Sequence, residues 1–192
     1  DSRAAGRRDG RRTGQAGAAI GLPDRVKAMI ADARPRADLV LVIAHVGERY
    51  EDDMDRRYGA WLRTLIDLGA DAVICHGSHA LGPVETYKGR PIWYGIGNFA
   101  FGSRNIRVDY ALIAVLHVDR QTKKLARVRG IPLYACNANL FIDHQARILT
   151  RYRADLVLDR LIERSAGLTS GLVRERNTVW QQLFSRSGGT GN

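Results

Sequence analysis

Three histidines, His45, His76 and His79, are the residues of this sequence best suited to chemistry. A neutral imidazole is the most common transition-metal ligand in proteins, and it titrates near physiological pH. One histidine at the end of a strand usually has a structural role. Three of them at the ends of two consecutive strands can supply nitrogen ligands to one or two divalent ions. We therefore treat His45, His76 and His79 as candidate metal ligands.

A two-metal centre also needs oxygen ligands, because its ions activate a bridging water and neutralise a phosphate group in line with it. Glu48, Glu85 and Asn98 are the candidates in this sequence. Each also has a structural interpretation: Glu48 as a charge on a surface loop, Glu85 as a polar group on an edge strand, and Asn98 as a turn residue after Gly97. Taken singly, each of the three favours the structural role.

A strand–helix–strand unit should position the histidines. Asp38–Ala44 is a continuous apolar, β-branched run, which is typical of a strand covered on both faces. A helix is predicted over Met54–Leu68, with Gly69 at its end. A second strand follows at Ala72–Cys75. Ligands bind at the carboxyl ends of strands in open α/β sheets, so the predicted site lies at that edge.

The remaining elements follow from periodicity and turn residues. Pro23 begins a first helix and Pro35 ends it, and Pro91–Tyr94 is predicted to be a strand. Two long strands, Asp109–Val118 and Lys124–Pro132, are predicted to form a hairpin. Two helices, Asp143–Ser165 and Ser170–Phe184, complete the prediction. Residues 1–22 are interpreted as a disordered tail or linker, 23–186 as the domain, and 187–192 as a flexible end.

Composition excludes several classes of protein. The chain is 45% hydrophobic and 26% charged, as in soluble globular proteins, and no apolar run approaches the ~20 residues of a membrane-spanning helix. The N-terminal residues lack the apolar core of a signal peptide. The net charge of +10 comes mostly from scattered arginines without a nucleic-acid-binding motif. No nucleic-acid partner is expected; a basic surface suits an anionic substrate, polymer or membrane.

Four segments, in order, are similar to the CapA-type family of capsule and poly-γ-glutamate synthesis proteins. Ala37–Tyr50 (ADLVLVIAHVGERY) resembles the family stretch aD-x-vIv-x-xHwG-x-Ey, and Leu68–Ile74 (LGADAVI) resembles aGADaViG. Leu81–Phe101 (LGPVETYKGRPIWYGIGNFAF) resembles vlqpvE-x-Y-x-gkpIxYslGNFvf. Ile131–Asn139 and the helical Ala154–Ser165 resemble the family's trailing region. The resemblance covers about residues 24–165.

The resemblance implies a layered α/β sandwich of the metallophosphoesterase (calcineurin-like) type, of which this chain carries the C-terminal half. It also implies divalent metal ions as cofactors, such as Mn, Fe, Zn or Mg, with His45, His76 and His79 as ligands. His45, Glu85 and Asn98 are the implied catalytic residues. The implied substrate is an anionic polymer or a phosphate-containing compound, and capsule-assembly proteins of the membrane are implied partners at the cell envelope.

The sequence departs from the family pattern at the histidine pair. The family pattern is G-x-HPH, whereas this chain has Cys75-His76-Gly77-Ser78-His79. His79 aligns with the second family histidine, the first falls on Gly77, and His76 comes one residue early. A shift of one residue in an extended segment turns a side chain to the opposite face. Val46 also stands where the family usually has Trp.

The family's opening motifs, Gly-Asp, Asn-x-Glu and Asn-Asn-His-x-x-x-Asp, do not occur before Ala37. We therefore expect an accessory protein of capsule or polymer assembly with an incomplete metal site. The alternative is an active metal-dependent phosphoesterase, if those motifs lie upstream. A nucleic-acid binder is a remote alternative that rests on charge alone. The missing strands further predict an unpaired sheet edge, an apolar patch, and marginal stability or oligomerisation.

Overall fold

Two β-sheets with helices packed against them make up the protein, as a computed structural model shows; it describes residues 23–48, 50, 53–138, 144–169 and 171–183. The first sheet has the order β1-β2-β4-β3 and contains β1 (Leu41–Val46), β2 (Ala72–Gly77), β3 (Val84–Tyr87) and β4 (Arg90–Trp93). Strands β1, β2 and β4 are parallel, and β3 pairs with β4 in the antiparallel sense. The predicted strand–helix–strand unit is confirmed.

The second sheet is antiparallel, with the order β5-β6-β9-β8 and a short strand β7 paired to β6. Its strands are β5 (Tyr110–Val118), β6 (Leu125–Tyr134), β7 (Arg147–Ile148), β8 (Leu172–Glu175) and β9 (Thr178–Gln182). The helices are α1 (Pro23–Ala33), α2 (Met54–Asp67) and α3 (Arg151–Arg164), with short 3₁₀ turns at Arg34–Arg36 and Ile106–Val108. The hairpin of β5 and β6 is as predicted.

Alternate residues of β2 divide the protein into layers. Val73 and Cys75 pack with apolar residues of α1 and α2. Ala72 and Ile74, on the opposite face, pack with residues of the second sheet and of α3. This alternation is the period-2 pattern of a strand buried on both sides. The mixed α/β sandwich that the sequence predicts is therefore confirmed, with helices against one sheet and the second sheet against its other face.

The prediction of a C-terminal helix at Ser170–Phe184 is wrong. Leu172–Glu175 and Thr178–Gln182 form a β-hairpin instead, joined by a tight turn in which Arg176 has φ of +50°. The segment contains Val173, Thr178, Val179 and Trp180, and such β-branched and aromatic residues favour strands over a helix. The helix predicted at Asp143–Ser165 begins only at Arg151, after the short strand β7.

Strand β1 lies at the edge of the first sheet, and it is not covered on both faces as we predicted. It runs from Leu41 to Val46 and so begins three residues later than Asp38. The Ile43 side is open to solvent, with that residue 71% exposed, whereas Ala44 is buried against the helices. Among the described residues, the apolar run of β1 is therefore covered on one face only.

No helix in the described ranges is long and apolar enough to cross a membrane. The tail or linker interpreted at residues 1–22 and the flexible end at 187–192 lie outside the described residues, as do the last residues of the domain predicted to end at 186.

Replacing the most exposed apolar side chain of the β1 edge tests whether this edge drives self-association. We expect Ile43→Thr to reduce oligomer formation in size-exclusion chromatography with light scattering, because it removes apolar surface from an unpaired edge. The melting temperature should change little, since an exposed side chain contributes little packing energy. Ile148→Thr on β7, another exposed isoleucine, is the matched control. Identical elution of the Ile43 and Ile148 variants would contradict the prediction.

Candidate functional site

His45 and His76 are direct neighbours across the parallel pair of β1 and β2. They are partners in the strand register, and their ring centroids are 4.7 Å apart with an interplanar angle of 76°. Burial lowers the pKa of His76, and the nearby His45 lowers it further. His76 therefore favours its neutral form, which keeps a nitrogen lone pair for a metal ion or a proton.

His79 and Asn98 form a second pair in the loops that follow β2 and β4. The His79 Nδ1 atom lies 2.7 Å from the Asn98 Oδ1 atom. Because an amide oxygen only accepts hydrogen bonds, Nδ1 carries the proton in this contact. In the neutral ring, Nε2 of His79 then holds the lone pair.

Asn98 carries a hydrogen-bond donor without a partner. The residue is 6% exposed, and its Nδ2 atom has no hydrogen-bond partner among the described residues. A buried amide donor left without an acceptor costs about 1–3 kcal/mol, so such atoms usually meet water or a ligand. The Nδ2 atom therefore marks a position where an oxygen acceptor would be stabilised.

The backbone around His79 is strained and tightly held. His79 adopts a left-handed conformation with φ of +65°, and Tyr50 does so with φ of +68°. The amide nitrogen of Tyr50 donates to the carbonyl oxygen of Ser78 at 2.7 Å, which joins the loops after β1 and β2. The His79 ring lies 4.9 Å from that of Phe101. Left-handed non-glycine residues cost energy and are concentrated at functional sites.

The bend before Asn98 depends on a glycine. Gly97 has φ of +70°, and a Cβ added there would lie 2.8 Å from the Tyr110 carbonyl oxygen. The amide of Ile96 donates to Cys75, and the carbonyl of Ile96 accepts from Leu112. These bonds hold the bend between the two sheets and direct Asn98 toward His79.

Glu85 lies in a different network. Its carboxylate accepts a hydrogen bond from Arg63 Nε at 2.9 Å and another, shorter one from the Tyr94 hydroxyl. Burial raises the pKa of Tyr94, and its bond to Glu85 raises it further, so the phenol stays protonated. Both carboxylate oxygens of Glu85 therefore have partners, and the residue joins the first sheet to α2.

Glu48 is an exposed loop residue, in keeping with its structural interpretation. It pairs with Arg57 of α2 at 2.6 Å. Tyr50 and Tyr94 lie in the quoted motif segments, but their contacts with His79 and Glu85 could not be predicted from those motifs. No motif indicated Arg63, which pairs with Glu85. Phe101 belongs to the quoted motif that ends in GNFAF, but its contact with His79 could not be read from the motif.

Comparison with known proteins shows the family. The sequence profile described as bacterial capsule synthesis protein PGA_cap matches residues 2–103, which is more than half of the chain. The chain belongs to the bacterial capsule synthesis protein family. The match includes all of the candidate site residues and also the residues interpreted as a tail or linker. It ends before the trailing segments at 131–139 and 154–165.

Three relatives illustrate the similarity. The PGA biosynthesis protein CapA of Bacillus subtilis (strain 168) is 35% identical over 92 residues, 48% of this chain and 24% of its own length. The capsule biosynthesis protein CapA of Bacillus anthracis is 32% identical over 100 residues, 50% of this chain and 24% of its own. A probable polyglutamine synthesis accessory protein of Mycobacterium tuberculosis (strain ATCC 25618 / H37Rv) is 31% identical over 111 residues, 55% of this chain and 29% of its own length. The chain spans about a quarter of the length of these relatives.

The described residues do not by themselves fit a dinuclear metal centre. No three His, Cys, Asp or Glu side chains in the described ranges are grouped so that they could hold a metal ion. Burial also raises the pKa of the Cys75 thiol to about 12, which keeps it protonated. The metal ligands assigned to His45, His76 and His79, and the catalytic roles assigned to His45, Glu85 and Asn98, stay predictions.

Gly77 explains why this chain departs from the family's histidine pair. It has φ of +123°, and an added Cβ would lie 2.6 Å from the Val46 carbonyl oxygen and 2.9 Å from the His45 ring. No L-side chain fits this backbone without a shift of β1. A histidine at position 77 is therefore incompatible with the observed contact between the ends of β1 and β2.

The Gly77 conflict can be measured directly. We expect Gly77→Ala to lower the free energy of unfolding by more than about 2 kcal/mol, because backbone strain and a backbone collision add. Gly89→Ala is the matched control, since Gly89 has φ of +73° and open space around it. That variant should cost about 1–2 kcal/mol from conformation alone. If Gly77→Ala and Gly89→Ala lose the same free energy of unfolding in urea denaturation, the added Cβ at position 77 does not collide with β1 at any energetic cost.

Glu85 should prove structural. We expect Glu85→Gln to lower the free energy of unfolding by about 1–3 kcal/mol, because it removes the charge that Arg63 pairs with in a buried position. Glu48→Gln, in an exposed ion pair, should change it by less than about 1 kcal/mol. Urea denaturation of both variants measures the difference. Ligand binding that is lost in well-folded Glu85→Gln would instead place this carboxylate in the site.

Proposed function

We propose that this chain acts in the assembly of an anionic capsule polymer of the poly-γ-glutamate type at the bacterial cell envelope. In this proposal it binds carboxylate oxygens of the polymer, or the oxygens of a phosphate group, at the pair of His79 and Asn98. The observation that carries the proposal is the buried Nδ2 donor of Asn98, which has no acceptor among the described residues. Membership of the capsule synthesis family supports the choice of polymer.

The proposed binding uses two nitrogen atoms that the geometry leaves for a ligand. Asn98 Nδ2 donates to one oxygen of the anion. His79 is held by its Nδ1 contact with Asn98, so that when its ring is protonated Nε2 can donate to a second oxygen. Hydrogen bonds from a charged donor to a carboxylate are about twice as strong as neutral ones.

A metal-dependent phosphoesterase is the second candidate, and the lowered pKa of His76 favours it because a metal ligand must be neutral. Imidazole ligands suit Zn or Fe better than Mg. Ligands beyond the described group of residues would have to complete such a centre, so we derive no catalytic step from it. Hydrolysis of an aryl phosphate that needs both Mn²⁺ and His79 would support this candidate over the first.

One substitution separates the two functions. We expect Asn98→Asp to weaken binding of a fluorescent poly-γ-glutamate oligomer by roughly 10- to 100-fold, because a donor becomes a negative charge facing the anion. Fluorescence anisotropy at fixed salt measures the dissociation constant. If the site holds a metal, the same carboxylate should strengthen Mn²⁺ binding instead.

The matched control is Asn177→Asp in the turn between β8 and β9. Its side-chain oxygen accepts a hydrogen bond from the Arg151 amide, and an aspartate can accept the same bond. This variant carries the same change of charge and should bind the oligomer as the unaltered chain does. Circular dichroism confirms that both variants fold. A folded Asn98→Asp variant with unaltered affinity for the polymer would refute the proposed site.

A further inference from the structure

The outer face of the second sheet carries a basic and aromatic group of residues remote in sequence from the histidines above. We call His117, Arg127, Arg129 and Trp180 the Trp180 cluster. The strand register places His117 opposite Arg127, and Arg129 opposite Trp180. The guanidinium carbon of Arg127 lies 4.1 Å from the centre of the Trp180 ring, and that of Arg129 lies 5.3 Å from it. The His117 ring is 5.0 Å away.

Three buried nitrogen atoms of this cluster have no hydrogen-bond partner in the described part of the chain: Trp180 Nε1, Arg129 Nε and His117 Nε2. Trp180 is only 8% exposed. Indole and guanidinium N–H groups are donors and cannot accept, so oxygen acceptors are what the cluster lacks. Leaving such donors unpaired is costly, and their concentration at one place points to a ligand.

The positive charge of the Trp180 cluster also indicates an anionic ligand. Within the described ranges, neither Arg127 nor Arg129 has a carboxylate in ion-pair contact, although other arginines such as Arg63 and Arg174 do. Two guanidinium groups beside each other without counter-ions repel, and an anion would relieve this repulsion. Burial lowers the pKa of His117, and the two arginines lower it further, so the imidazole adds no third charge.

We propose that the Trp180 cluster is a second binding site, which takes adjacent carboxylate groups of an acidic polymer. Arg127 and Arg129 are two residues apart on β6, about 7 Å along the strand, so each can bind a separate carboxylate through its two-pronged donor face. The Arg127 side chain is exposed, with its guanidinium group over the Trp180 ring, and its displacement toward a bound anion would uncover the indole N–H. The choice of a polyglutamate rests on the proposed function; the site itself rests on the unpaired donors.

The geometry favours a carboxylate polymer over a nucleic acid. Proteins that bind single-stranded nucleic acid stack bases on exposed aromatic rings. The Trp180 ring is already packed against Arg127 and His117, so it offers a donor atom at its edge and no free face for a base. A nucleic acid is therefore an outcome of the test that would overturn the proposal.

The test uses the double variant Arg127→Ala/Arg129→Ala and a fluorescent poly-γ-glutamate oligomer. We expect its dissociation constant to rise at least about tenfold, because two charge-assisted contacts are lost. The salt dependence of binding should also weaken. Arg56→Ala/Arg147→Ala is the matched control, since it removes two exposed arginines elsewhere and the same total charge. Equal affinity of the two double variants would overturn the proposal.

A second variant and two competitors complete the experiment. Trp180→Phe keeps the ring and removes only the Nε1 donor, so we expect a few-fold weaker binding with the fold retained. Acetate at equal carboxylate concentration should compete far less than the oligomer, because a single carboxylate cannot bridge both arginines. Arginine-dependent binding of an RNA homopolymer that is tighter than binding of the oligomer would overturn the carboxylate assignment.

The two proposed sites can be told apart by comparing the variants. If only Asn98→Asp loses binding of the oligomer, the Trp180 cluster is not a binding site. If only the double arginine variant loses binding, Asn98 is not part of a binding site.

Discussion

The contact on which the rest of the structure depends is the packing of Trp93 between the two sheets. Its ring lies against Gly130 of β6, where an added Cβ would come within 2.9 Å of it. Its indole N–H donates to Gln181, whose amide in turn donates to the Glu85 carbonyl and to the Thr86 hydroxyl. A fully buried glutamine is tolerated only because each of its polar atoms has a partner. These bonds fix how β4 of one sheet meets β9 of the other.

That fixed relation between the sheets determines where the candidate site lies. The Cys75 carbonyl holds the bend at Ile96, and Ile96 in turn accepts from Leu112 of the second sheet. Asn98 lies two residues after Ile96. Its side chain therefore contacts His79 only while the two sheets keep their relative position. The left-handed backbone of His79 costs energy locally, and the packing of the sheets offsets it.

The elements that depend on local sequence pattern could be predicted from the sequence. The apolar runs of β1 and β2 and the helix between them predicted the adjacent strands whose carboxyl ends carry His45 and His76. The sequence did not predict which strand lies at an edge, because an apolar run looks alike whether one face or both are covered, as Ile43 shows. The partners of Glu85 come from α2 and from the end of β4, and only the folded chain brings them together.

The unpaired atoms of the two proposed sites share one property. All four buried side-chain atoms without partners in the described part of the chain are nitrogens, one in Asn98 and three in the Trp180 cluster. Several carboxylates, by contrast, are paired within the fold, as Glu85 is with Arg63 and Asp155 with Arg174. With a net charge of +10, the chain has ten more lysine and arginine side chains than carboxylates, 30 against 20. In the two binding sites that we propose, a polymer of carboxylates would supply both the oxygen acceptors and the negative charge at repeated positions.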